Sequence, residues 1–252
     1  MEEIKVLRGK PYKVEYKVKV AKKIKIGIVG GIGPVSTIDY YRDIIEKYRE
    51  RSGKDKYPDI VIDNVNMPNL VKAFSENNHY KVIKIVAKAI NNLDAAGADV
   101  IAIASNTPHI LYYEIAKKTK LPIISIVDAT GDYIFEKDYS KVLILGTEFT
   151  MKSGLYDMAL GLRGIESVTP DHEDIEALHQ IIFPNLENGI VIPEDKEKMI
   201  NIVNKYIVNN QVDSVILGCT EIPLMLQQED ISIPLINTAQ LHIDAIVNYC
   251  FQ

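Results

Sequence analysis

The sequence predicts an α/β fold made of two similar, pseudo-symmetric domains, each a mostly parallel sheet flanked by helices, with a ligand cleft between them. Three observations carry this reading. Short apolar runs alternate with amphipathic stretches from residue 25 onward. Three strand ends of the first half recur in the same order in the second. The 252 residues are 47% hydrophobic and 25% charged, enough to fill one large or two modest cores.

In chain order, residues 1–23 form an N-terminal arm. Val14, Tyr16, Val18 and Val20 alternate with charged residues, the period of a half-exposed strand. Arg8-Gly9-Lys10-Pro11 would turn such a strand into a hairpin with Ile4 and Val6. The competing reading is a solvated Lys-rich extension, and no chemistry is assigned to the arm. Strands are then expected at 26–29, 60–62, 100–103, 122–126, 142–145, 215–217 and 233–236. Their continuous apolar character is that of strands buried on both faces. Between them, three helical stripes show three-to-four spacing: Ile38, Tyr41, Ile44/Ile45 and Tyr48; Tyr80, Ile83, Val86/Ala87, Ile90 and Leu93; Ile200, Val203 and Ile207. Each reads as a core face.

The internal repeat organises these elements. Lys25-Ile26-Gly27-Ile28-Val29-Gly30 parallels Lys141-Val142-Leu143-Ile144-Leu145-Gly146, at 146 − 30 = 116. Residues 99–107 parallel 213–221, at 219 − 105 = 114, and 121–124 parallel 233–236, at 234 − 122 = 112. The expected division is a first domain of residues 24–127 plus 239–252 and a second of 128–238. Their strand C-termini would converge on a shared cleft, where ligands bind in such sheets.

Composition narrows the partners. Lys and Arg total 29 against 34 Asp and Glu, so the net charge is 29 − 34 = −5, with no basic stripe for a phosphate backbone, and no nucleic-acid partner is expected. No apolar run approaches a bilayer span, and the first twenty residues carry Lys or Arg throughout, so no membrane role and a cytoplasmic location are expected. Cys219 and Cys250 are the only cysteines, too few for a disulfide framework or a Cys-rich metal site.

The repeat places Ser105 and Cys219 at one structural position in the two halves. Two groups facing one ligand from opposite sides suit the removal of a proton from one face of a carbon and its return to the other. Cys219, just ahead of a helix start at Thr220-Glu221-Ile222, is expected to act as a thiolate base. The turn Gly30-Gly31-Ile32-Gly33-Pro34 offers backbone N–H groups to an anion, with Gly31 placed in the substrate site and Pro34 opening a helix. It is a poor dinucleotide fingerprint: a third glycine is missing, and Asp63 lies 63 − 33 = 30 residues beyond Gly33. Asn106, Thr107, Thr147, Thr150 and Thr220 are neutral donors on loops facing the cleft, suited to a carboxylate. His109 is the histidine nearest the cleft, as an acid/base or as a structural group. No metal site is expected, because the five histidines show no ligand spacing.

At these residues the chain resembles the aspartate/glutamate racemase family of cofactor-independent amino-acid racemases, over about residues 25–249. The motifs are Gly30-Gly31-Ile32-Gly33-Pro34-Val35-Ser36-Thr37, Ser105-Asn106-Thr107-Pro108-His109, Gly146-Thr147 with Thr150-Met151, Ile181-Ile182-Phe183, and Gly218-Cys219-Thr220-Glu221-Ile222. The resemblance implies a pseudo-symmetric two-domain fold, often dimeric. It also implies exchange of the α-proton of a free amino acid, aspartate or glutamate by default, without pyridoxal phosphate or metal. It makes Cys219 one acid/base, has Asn106, Thr107 and Thr220 hold the α-carboxylate and amine, and lines the site with Thr147. Two departures stand out. Ser105 replaces the first catalytic cysteine, a much weaker acid, although some family members carry a hydroxyl there. The arginine and lysine that typically meet the substrate's side chain fall on Leu70 and Ala177, leaving Lys72 as the only nearby substitute. Two alternatives follow from one catalytic cysteine: a lyase or decarboxylase of the same superfamily, protonating a carbanion on one face, and a non-catalytic amino-acid binder.

Overall fold

The computed structural model of the chain describes residues 4–7, 10–13 and 23–252. In the arm, β1 (Ile4–Leu7) and β2 (Lys10–Lys13) pair antiparallel, Ile4 opposite Lys13, so that Lys10 and Pro11, expected in the turn, lie in the second strand. The alternating stretch at 14–20 lies outside the described residues.

The first sheet contains β3 (Lys25–Gly30), β4 (Asp59–Asn64), β5 (Val100–Ile103) and β6 (Ile123–Ile124), all parallel, in the order β4-β3-β5-β6. The second contains β7 (Lys141–Leu145), β8 (Glu166–Val168), β9 (Ser214–Leu217) and β10 (Leu235–Asn237), again parallel, in the order β8-β7-β9-β10. The two orders are the same, and so is the register. Ile26 faces Val100 in one sheet and Val142 faces Ser214 in the other, offsets of 142 − 26 = 116 and 214 − 100 = 114. Ile101 faces Ile123, and Val215 faces Leu235, giving 235 − 123 = 112. These are the offsets of the sequence repeat. Even the clamp at the strand entrances recurs: Asp99 accepts from the N–H of Lys25 at 2.9 Å, and Asp213 from that of Lys141 at 3.1 Å.

All seven expected strands form. An eighth, β8, escapes the sequence reading, because three residues at a sheet edge with Val168 alone buried leave no apolar run to see.

Helices cover both faces of each sheet. Val29, Ile101 and Ile103 pack on Val82, Val86, Ile90 and Leu93 of α3 (His79–Ala95), with Leu70 and Phe74 of α2 (Met67–Ser75) in the same cluster. On the opposite face Ile26, Ile28 and Val100 pack on Tyr40 and Ile44 of the preceding α1 (Pro34–Ser52). In the second sheet Leu143, Leu145 and Leu217 meet α8 (His172–Ile182) and α9 (Pro193–Asn210). Val142, Ile144 and Ile216 meet α5 (Ile126–Glu136) and α7 (Leu155–Gly161). Each fully buried aliphatic side chain contributes roughly 1.5–3 kcal/mol, so the double-sided burial of these strands is a main source of stability. Between them, α4 (Tyr112–Ala116) and α6 (Glu148–Lys152) are single short turns. The last helix, α10 (Thr238–Tyr249), leaves the second sheet and returns Ala239, Ile243, Ile246 and Val247 to the core of the first, while touching α1 and α5.

The stripe expected on α1 is out of phase. Its buried residues are Ser36, Thr37, Tyr40 and Ile44, whereas Ile38 is 64% and Tyr41 50% exposed. The helix turns small hydroxyl residues inward at its start, because Ser36 donates to the Ala104 carbonyl and Thr37 braces the turn before it. Tyr80 is likewise exposed, at 77%, and the inner face of α3 begins at Val82. Among the described residues no helix is long and apolar enough to cross a membrane.

Candidate active site

Strand order and register bring the ends of β3, β5, β7 and β9 to one cleft between the sheets. Each central pair closes in the same way. Ala104 N–H donates to Val29 O at 3.0 Å, and Gly218 N–H to Leu145 O at 2.6 Å. Gly218 is required here, since a Cβ would lie 2.7 Å from that same carbonyl oxygen. The next residues, Ser105 and Cys219, are therefore equivalent, and both line a cleft of about 600 Å³. Asn106, Thr107, Thr147, Thr220, Glu187 and Glu221 line it too.

Cys219 is 6% exposed, and its Sγ donates to Glu221 Oε2 at 3.2 Å. Thr220 Oγ1 donates to the same oxygen at 2.8 Å. Burial pushes the thiol pKa well up, and the Glu221 charge adds to it, against smaller opposing contributions from the N–H groups of Glu221 and Ile222. The expected low-pKa thiolate at a helix start is therefore overturned. The helix there is a single 3-10 turn, Ile222–Leu224, and a carboxylate faces the sulfur. Glu221 is itself 4% exposed and its own pKa is raised, chiefly by desolvation. Thiol and carboxylate form a pair that holds protons jointly.

Ser105 is 7% exposed, and among the described residues its hydroxyl has no hydrogen-bond partner. Its carbonyl is held by His109, whose Nδ1 lies 2.9 Å away. His109 Nε2 accepts from the N–H of Ile126 at 3.4 Å, which makes the ring neutral with its proton on Nδ1. Burial lowers its pKa to about 4. His109 is thus a structural group that fixes the Ser105 backbone, and it does not line the cleft.

Three threonine hydroxyls gather beside the cleft. Thr107 Oγ1 is 3.3 Å from Thr147 Oγ1 and 3.4 Å from Thr150 Oγ1, with Thr147 and Thr150 3.1 Å apart. Thr147 caps α6, accepting from the Thr150 N–H, and Thr150 stands behind the wall. Because hydroxyl protons rotate, Thr107 and Thr147 can both donate toward a carboxylate in the cleft. Asn106 is more committed than expected: its Oδ1 accepts from Tyr156 and its Nδ2 donates to Thr238 Oγ1 at 3.1 Å, leaving one amide proton free. Thr238 donates onward to Leu217 O at 2.9 Å, so this chain ties the two halves together beneath the cleft.

Gly31 does not line the cleft. Its N–H donates to Thr37 Oγ1 at 2.8 Å, and Thr37 in turn donates to Gly33 O at 3.0 Å. At φ +81° with Asn64 Oδ1 2.6 Å from where a Cβ would sit, glycine is needed to make the turn. Pro34 does open α1. The turn nevertheless faces a carboxylate: Glu221 Oε1 lies 2.9 Å from the position of a Cβ on Gly33. An anion would be repelled there.

Two acidic residues were given no role from sequence. Among the described residues Glu187 Oε2 and Glu221 Oε1 are buried without hydrogen-bond partners, and each carboxyl is pushed up in pKa, first by desolvation. An acid two residues after a strand-end cysteine was a legible signal for Glu221. Glu187 comes from the 3-10 turn Leu186–Asn188, which no local pattern ties to the cleft.

Two parallel α/β sheets in the same strand order, with repeat-related side chains lining one cleft, define a class of duplicated α/β proteins. The chain belongs to the Asp/Glu/hydantoin racemase family, whose pattern matches residues 29–246. It is 28% identical over 85% of its length to the broad specificity amino-acid racemase RacX of Bacillus subtilis (strain 168), covering 92% of that protein. Among solved structures it resembles an aspartate racemase homologue from Pyrococcus horikoshii OT3, with TM-score 0.78 and 35% identity over 92% of this chain and 100% of that one. It also resembles the Picrophilus torridus aspartate racemase, with TM-score 0.75 and 25% identity over 90% and 94% of the two chains. These homologues are amino-acid racemases or relatives of them, and amino-acid racemases are isomerases.

Proposed function

We propose that the protein racemises a free amino acid by abstracting and returning its α-proton, with Cys219 and Ser105 on the two faces of the α-carbon. The observation that carries this reading is their equivalence, by register and by hydrogen bonding, on the lining of one cleft. The α-carboxylate lies against the Thr107 and Thr147 hydroxyls, with Thr220 and the spare Asn106 amide proton completing its site with the amine. The α-ammonium faces Glu187 and the free oxygen of Glu221.

In the forward sense Cys219 passes its proton to Glu221 and, as a thiolate, takes the α-proton. The carbanion's charge spreads onto the carboxylate, where hydroxyl donors stabilise it. The opposite face is protonated from the Ser105 hydroxyl, directly or through a water that it holds; solvent returns a proton to Ser105 while Glu221 releases its own to solvent, which restores the thiol, the carboxylate and the hydroxyl. L and D forms are isoenergetic, so kcat/KM is equal in the two directions even though thiol and hydroxyl differ in strength. No step calls for pyridoxal phosphate or metal.

The domain division at 24–127 plus 239–252 and 128–238 is supported by α10 packing in the core of the first sheet, whereas α5 joins the core of the second already at Ile126 and Val127. We assign the protein to the cytoplasm, where both free cysteines stay reduced, with no nucleic-acid or membrane partner. A homodimer is supported by the apolar residues Ile38 and Tyr41 on the outward face of α1. Incubation with single enantiomers and chiral chromatography tests the reading; loss of optical purity supports it, and conversion to a decarboxylated product would favour the lyase.

A further inference from the structure

From the walls of the cleft we infer that the amino acid taken up carries an uncharged, apolar side chain rather than a carboxylate. The inference rests on the racemase reading and adds the substrate class. Beyond the hydroxyls and acids that hold the α-groups, the remaining wall is built from Met67, Leu70, Val71 and Phe74 of α2, Phe149 of α6, and the Ile182-Phe183 corner. Phe74 and Phe149 pack ring to ring, with centroids 5.6 Å apart, closing the end of the cleft.

Among the described residues, no lysine or arginine lines the cleft. Lys72, the one cation that the sequence offered, is 67% exposed and pairs with Glu76 at 3.8 Å. The charged side chains on the lining are both acidic, Glu187 and Glu221. A distal carboxylate would thus be desolvated without a partner and would face two like charges. An aliphatic or aromatic side chain loses nothing by desolvation and gains contact with a wall of its own kind. A basic side chain could reach Glu187 only by displacing the α-ammonium, since the Glu187 carboxyl feels the charge of Glu221 at the reacting end.

The test follows α-proton exchange in D₂O by NMR for methionine, leucine, phenylalanine, aspartate, glutamate, lysine and arginine at one concentration. The best apolar substrate should exchange about tenfold or more faster than aspartate or glutamate. Leu70→Arg should move the ratio toward the acidic substrates by a similar factor. Leu70 is buried, so Val71→Arg, on the partly exposed side of the same wall, repeats the test where the first variant does not fold. Acidic or basic substrates exchanging as fast as the apolar ones in the natural protein would overturn the assignment while leaving a racemase. Exchange of no amino acid would overturn the racemase reading itself.

Discussion

Replacing Glu221 with glutamine removes a buried negative charge 3.2 Å from the Cys219 sulfur. At that separation, with an effective dielectric of about 20, Coulomb's law gives a repulsion of about 5 kcal/mol against the thiolate. At about 1.4 kcal/mol per tenfold, this is a ceiling of roughly between three and four powers of ten in thiolate population at a given pH. Solvent screening and relaxation of the site lower the realised effect toward about ten- to a hundredfold. The assay is the rate of iodoacetamide alkylation against pH, in a Cys250→Ser background so that only Cys219 reacts. Glu221→Gln should alkylate at least about tenfold faster near pH 8, while racemisation falls by about 10²–10⁴ because the thiol has lost its proton acceptor. Faster alkylation with slower turnover is the signature of a proton relay. Unchanged or slower alkylation would refute the electrostatic account of the pair, and undiminished turnover would remove Glu221 from the mechanism.

Other consequences are as direct. Cys219→Ala should abolish turnover while ligand binding, followed by calorimetry, is largely kept; unchanged activity would sink the mechanism. Ser105→Cys should raise kcat/KM in both directions by about tenfold or more, because a thiol is a far better acid than a hydroxyl, and a fall would show that the hydroxyl is specifically needed. Tyr156→Phe leaves Asn106 Oδ1 without its donor and should cost roughly 1–3 kcal/mol in denaturant unfolding; no loss would mean that the tie beneath the cleft is idle. His109 and His242 are buried neutral, with pKa lowered to about 4 and about 3 from 6.5. The unfolded chain therefore takes up protons that the folded one refuses, and stability is complete above pH 6.5 and drains away as pH falls toward those values. By NMR, two of the five histidines should fail to titrate between about pH 8 and 5; titration of all five would contradict the buried network.

Much of this was legible because parallel strands buried on both faces announce themselves as apolar runs, and because a duplicated topology repeats its spacing. The offsets 116, 114 and 112 seen between motifs are those of the strand registers. What the sequence hid was local. An edge strand with one buried residue has no pattern. The inner face of α1 is set by Ser36 and Thr37 bonding to backbone, which a hydrophobic stripe cannot reveal. Gly31 resembled an anion cradle until Thr37 was found on its N–H. The state of Cys219 depends on how the Glu221 side chain folds back, and spacing alone suggested a helix terminus instead. Ser105 and Cys219, by contrast, stand at equivalent positions in the sequence repeat and in the strand registers alike.

The central claim is that one carbon is worked from both faces, and α-proton exchange in D₂O followed together with chirality tests it most directly. Deuterium incorporation accompanied by inversion is the predicted result for at least one amino acid. Exchange with full retention would mean that Cys219 acts alone and that Ser105 does not serve the second face.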